Sequence, residues 1–202
     1  MTTQSETPPQ SPYKLQDRLA HVIPALSYLF LGFLYFQMWR GRTVFEWATH
    51  QELFILFKME MFALCGLGFI FVFSPLLLKH SMRGALLTVA MVAGILYAGH
   101  SMGGWMGMGF LLYSILIQFI SARHQVLSLI QTGFFHMVGY FYVVILVRIF
   151  TKARGFEDLT ADNIILPALV YFLTRALGEI LLVFAPAHWK GRKWVQTPVE
   201  LK

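Results

Sequence analysis

Charge is scarce in this sequence. Charged residues make up 13% of its positions and hydrophobic residues 57%, against about 25% and about 45–50% in ordinary soluble domains. So few charges cannot clothe a chain of 202 residues in a water-facing surface. The shortage excludes a conventional soluble fold and names the lipid bilayer as the chain's main partner.

Cysteine is nearly absent as well. Cys65 stands alone in an apolar run, which excludes an internal disulfide and any zinc or iron–sulfur site built from this chain's own cysteines. A secretory leader is not expected at residues 1–16, which are polar and hold Pro8, Pro9 and Pro12, without the basic start, short apolar core and small-residue cleavage site of such a segment, so the first apolar run reads as a retained helix. The net charge of +6 comes without a basic helix or stacking platform, so nucleic acid is not an expected partner. No internal repeat supports an inverted-topology transporter.

Long apolar runs and aromatic residues fill the space that charge leaves. There are 19 Phe, 8 Tyr and 5 Trp, rings that pack among lipid tails and settle at the interface. At about 20 residues per spanning helix, the chain has room for about six spans joined by short links. The runs are Ala20 to Met38, Leu53 to Leu78, Ala85 to Met102, Trp105 to Ser121, Val126 to Val147 and Asn163 to Ala185. The third and fourth come from one stretch, 84–120, that carries no charged group. As a single helix it would be about 55 Å long, well beyond a hydrocarbon core of about 30 Å. It must fold back, and Gly103-Gly104 is the place.

The expected fold is therefore an all-α polytopic transmembrane bundle of six spans. Residues 1–16 read as a disordered cytoplasmic tail, 17–188 as the six-helix domain, and 189–202 as a basic cytoplasmic tail with Trp189 and Trp194 among Lys190, Arg192 and Lys193. With six spans, one side collects Lys14, Arg18, Lys79, Arg83, Arg123, Lys190, Arg192, Lys193 and Lys202, and the other Arg40, Arg42, Arg148, Lys152 and Arg154. That bias puts both termini in the cytoplasm. Compactness and the lack of an added targeting segment make a bacterial inner membrane the default location.

Two charges inside the last run carry the candidate site. Arg175 and Glu179 share one helix face above Tyr171, and a charge at the bilayer centre costs at least about 2.5–3.5 kcal/mol. Such groups need partners. His136 lies mid-span in the fifth run, about 15 Å from the cytoplasmic end, while Arg175 and Glu179 lie about 18 and 12 Å from it. The three form the expected buried polar centre, suited to handling protons, with Thr132 and Tyr140 flanking His136 at helical spacing. The alternative is a self-neutralising pair that packs the last helix into the bundle. Lys58 and Glu60 form a secondary polar pair, expected at the interface because 61–78 is uncharged and nearly long enough to span. Asp162 is a candidate cap for the last helix.

Two further patterns compete. Gly99-His100-Ser101-Met102-Gly103 matches a nucleophile-elbow motif, but it falls at the end of a helix where that motif has no chemical meaning. His100, Met102 and Met106 offer soft ligands suited to Cu(I); their structural reading is adaptable packing, and Gly99, Gly103 and Gly107 at four-residue spacing suggest close helix contact. No cofactor is otherwise indicated, and nothing in proper context marks an enzyme. Small size and glycine-lined helices favour a non-enzymatic accessory or assembly subunit of a membrane complex, bound to other membrane subunits or to copies of itself. The alternatives are a small transporter or channel-like protein built on the buried polar centre, and a copper or redox membrane protein.

Overall fold

The computed structural model describes residues 15–73, 82–123, 129–151 and 158–184. These form α1 (Leu15–Trp39), α2 (His50–Val72), α3 (Met82–Arg123), α4 (Leu129–Thr151) and α5 (Ile165–Phe184). The architecture is all-helical, and each of the five carries a stretch long and apolar enough to cross a membrane. The basic segment 189–202 and all but the last residues of the polar segment 1–16 fall outside the described residues, as do residues 152–157 of the charged link after α4.

α3 is one element in name only. Gly103 (φ −155°, ψ 17°) and Gly104 (φ 59°, ψ −146°) leave helical geometry in its middle. The positive φ at Gly104 is a conformation that glycine adopts without steric cost. At this point the chain reverses: a methyl group built on Gly99 would lie 2.7 Å from Leu111 Cδ2, and one on Gly107 would lie 2.7 Å from the Gly99 carbonyl oxygen. Along a straight helix residues 99 and 111 would be about 18 Å apart. The arms 82–102 and 105–123 therefore lie side by side, touching backbone to backbone through Gly99 and Gly107. Each small residue is required where it stands.

Local chemistry ends and starts the helices. α1 stops where Gly41 takes φ 69°, with Arg42 N–H donating to the Gln37 carbonyl and Gly41 N–H to that of Met38, both at 2.9 Å, the Schellman closure. α2 opens on Thr49, whose hydroxyl accepts from the Glu52 N–H, covering one of the orphan amides of the first turn. Ahead of α5, Thr160 and Asn163 exchange reciprocal side-chain-to-backbone bonds. Asp162, expected as the cap, instead accepts from His50 Nδ1 at 2.6 Å. Its carboxylate pins the start of α2 to the start of α5.

Two seams hold the bundle. In the first, α1 runs against α5, Tyr28 and Tyr35 both stacking on Phe172 at centroid distances of 6.2 and 5.3 Å. Gly32 lets Leu173 approach within 2.9 Å of where its Cβ would stand, and Tyr35 donates its hydroxyl to the Leu53 carbonyl at 2.6 Å, tying α1 to α2. In the second seam α2 crosses α4 through Gly68 and Gly133: a Cβ on Gly133 would fall 2.7 Å from Val72 N and 2.9 Å from the Gly68 oxygen. This is the small-residue packing expected where lipid supplies no hydrophobic drive between helices. Contacts from His21 to Glu179 and from Tyr28 to Arg175 run antiparallel, so α1 begins and α5 ends at the same end of the bundle.

Candidate functional site

Arg175 and Glu179 sit one turn apart on α5, as their spacing requires, but they are not a tight pair. Arg175 Nη2 stands 3.9 Å from Glu179 Oε1, beyond hydrogen-bond reach. Glu179, only 3% exposed, takes its close contacts from other helices. His21 Nδ1 on α1 lies 2.8 Å from Oε2, and Ser121 on the second arm of α3 donates to Oε1 at 2.6 Å. Three helices converge on one carboxylate within about two turns of their ends, so this cluster lies toward one end of the bundle.

Arg175 points the other way along the seam. Its Nη2 donates to the Tyr28 hydroxyl at 3.2 Å, and its Cζ lies 5.0 Å from the Tyr28 ring centroid, a cation–π contact. Its buried Nε finds no acceptor. The guanidinium is held between Glu179 and the bundle centre.

Glu60 occupies that centre. The interface placement expected of it does not hold: it is the eleventh residue of the 23-residue α2 and 1% exposed. The helix starts at His50, so Lys58 and Glu60, which looked terminal from the length of the apolar run, are each more than two turns inside it. Tyr171 on α5 donates to Glu60 Oε1 at 2.8 Å. No ion pair reaches this carboxyl among the described residues. Ser114 and Gln118 on the second arm of α3 flank it. Both are essentially unexposed, at 1% and 0%, yet Ser114 Oγ, Gln118 Oε1 and Gln118 Nε2 complete no hydrogen bond.

One helix face links the two carboxyls. Ser114, Gln118 and Ser121 follow i, i+4, i+7, which puts them on one side of the second arm over a rise of about 10 Å. Ser121 serves Glu179 and the other two flank Glu60. Buried orphan polar atoms are rare in folded proteins and call for a reason.

The remaining candidates make no hydrogen bond to these carboxyls, though His136 lies within electrostatic range of Arg175 and Glu179. His136 is buried on α4, with Nδ1 2.8 Å from its own helix's Thr132 carbonyl and its ring edge-on to Phe71 at 5.4 Å; no hydrogen bond joins it to Arg175 or Glu179. The histidine that meets Glu179 is His21. Lys58 is half-buried with Nζ 3.9 Å from the Phe54 ring centroid. His100 packs edge-on to Trp105 at 5.2 Å, beside the turn of α3, where Met102 and Met106 are exposed. Ser101 donates to the Ala98 carbonyl at 2.8 Å within its own helix. Among the described residues no three His, Cys, Asp or Glu side chains gather as a metal cluster.

His21, Ser114, Gln118 and Ser121 were not legible as site residues in the sequence. Small polar residues cost little in an apolar helix and leave no gap in hydropathy; the available signal was the i, i+4, i+7 spacing beyond Leu111. No protein-family model, curated protein or solved structure matches this chain.

Proposed function

We propose that this protein is a small transporter or channel-like protein that passes an ion through the polar centre between α1, α2, the second arm of α3 and α5. The observation that carries the reading is the pair of buried carboxyls, Glu60 and Glu179, on one polar face with a single guanidinium between them. A packing device would pair its charges and finish its hydrogen bonds. Here Arg175 leaves donors unused and the groups around Glu60 are unfinished, which suits a site whose occupant comes and goes. The polar chain also runs from one end of the bundle toward its middle, as an access route does.

In this reading the arms of α3 are two crossings. Six crossings and a basic excess on one side favour both termini in the cytoplasm of a bacterial inner membrane. Purified protein reconstituted in liposomes should pass H+, Na+ or K+ above protein-free vesicles under an imposed gradient. The double variant Arg175→Gln with Glu179→Gln removes both charges together, keeps the fold, and should lose that flux. Flux no higher than in empty vesicles, or unchanged in the double variant, overturns the proposal.

An accessory-subunit role is the second reading, and the first arm of α3 favours it. Leu86, Leu87, Val89 and Tyr97 are exposed there, and a Cβ added at Gly94 would meet nothing within 4 Å. That arm offers a partner helix a small-residue approach. Stable co-purification of another membrane subunit in gentle detergent is the check.

A further inference from the structure

We infer that the ion is a proton and that Glu60 is where it is carried, with Ser114 and Gln118 as partners for both of its states. The inference rests on the transport reading above and names its substrate. Glu60 is sealed from solvent, with Tyr171 closing a hydrogen bond to it and Ser114 and Gln118 within interaction range but short of full hydrogen-bond geometry. An ionised carboxylate only accepts hydrogen bonds, whereas a protonated one also donates. The three orphan atoms beside it match that change. Gln118 Nε2 and the Ser114 hydroxyl can donate to the ionised carboxylate, and Gln118 Oε1 or Ser114 Oγ can accept from the acid.

A metal cation fits less well. Na+ would use the oxygens of Glu60, Ser114 and Gln118, but it would leave the amide Nε2 buried beside a cation with nothing to donate to, and a single carboxylate is poor in charge for a divalent ion. A donor and acceptors in one small site suit a group that alternates between giving and taking a hydrogen bond. Loading forms one O–H bond on Glu60 and cancels one negative charge; release breaks that bond and returns H+, with no other reactant.

The surroundings of Glu60 are rich in hydroxyls and hold a single guanidinium. Tyr28 and Tyr35 on α1, Tyr113 on α3, and Tyr171 and Arg175 on α5 all lie within electrostatic range of Glu60. Arg175 is the one fixed cation among them. Ser121 lies about 4.5 Å of helical rise from Gln118, so the His21–Glu179–Ser121 cluster at the bundle end borders the centre along the same face of α3.

The test is infrared spectroscopy of the reconstituted full chain through a pH titration, read beside dye-reported H+ flux in the same vesicles. A carboxylic-acid carbonyl band that titrates in the wild type, vanishes in Glu60→Gln and shifts frequency in Gln118→Leu and Ser114→Ala is the expected result, with H+ flux lost in Glu60→Gln. The Gln118→Leu variant keeps the carboxyl, so the shift stays readable if Glu60→Gln folds poorly. Absence of a titrating band attributable to Glu60 overturns the inference. So does a Na+-dependent rise in melting temperature that Glu60→Gln abolishes, which would make the site a metal-cation site. A Glu60 band without any wild-type H+ flux upholds the proton site and brings down the transport reading alone.

Discussion

The end of the bundle and its centre each bury a glutamate, and they treat it differently. Glu179 receives a hydroxyl, an imidazole and a nearby guanidinium from three helices. Glu60 receives one phenol and sits among side chains that have not closed their own hydrogen bonds. A buried carboxylate supplied with donors is fixed in its charge and fastens helices together; one left short of them is free to change state. The contrast teaches that burial alone does not separate structural from working charges. The completeness of the partners does.

Removing one side of a satisfied buried pair should therefore do the most damage. Glu179→Gln removes the carboxylate that joins α1, α3 and α5 and the negative charge nearest Arg175, so it should lower stability by about 3 kcal/mol. Thermal unfolding in detergent would read this, and the double variant with Arg175→Gln should lose less than Glu179→Gln does by itself. An unchanged melting temperature would erase the distinction between the two glutamates.

Gly133→Ala is expected next, at about 1–3 kcal/mol. The added methyl would meet the Val72 nitrogen at 2.7 Å and the Gly68 oxygen at 2.9 Å, backbone atoms that cannot swing aside, and α2 would have to part from α4. Gly94→Ala, with open space around it, is the control and should leave stability within about 1 kcal/mol.

Glu60→Gln sharpens the comparison from the other side. Tyr171 can still donate to the amide oxygen, and the new NH2 finds acceptors on Ser114 or Gln118, so stability should move by no more than about 1 kcal/mol while flux is lost. His136→Phe should do least: its ring packs on Phe71 and its one hydrogen bond is to its own helix. Flux should persist with a stability change of about 1 kcal/mol or less; lost flux would return His136 to the polar centre.

The sequence disclosed most where physics punishes an exception. A stretch without charges longer than a bilayer is thick had to reverse, paired glycines could only be the place, and Gly99 does meet Leu111 across them. Arg175, Glu179 and Tyr171 stood out because charge is dear in an apolar run. Glu60 was misplaced because hydropathy marks how long a run is and not where its helix begins. Ser114, Gln118, Ser121 and His21 were passed over because hydroxyls, an amide and an imidazole near a helix start violate no rule by themselves; only the fold brings them to the carboxyls.

The bond between His21 and Glu179 spans 158 residues, linking α1 to α5. Until α5 is in place, His21 lacks the carboxylate it meets in the folded bundle, and Arg175 and Glu179 have only their i, i+4 neighbourhood on α5 to offset two charges in an apolar helix. The bundle therefore closes in a single late event. A chain stopped before residue 179 would lack the carboxylate on which α1, α3 and α5 converge.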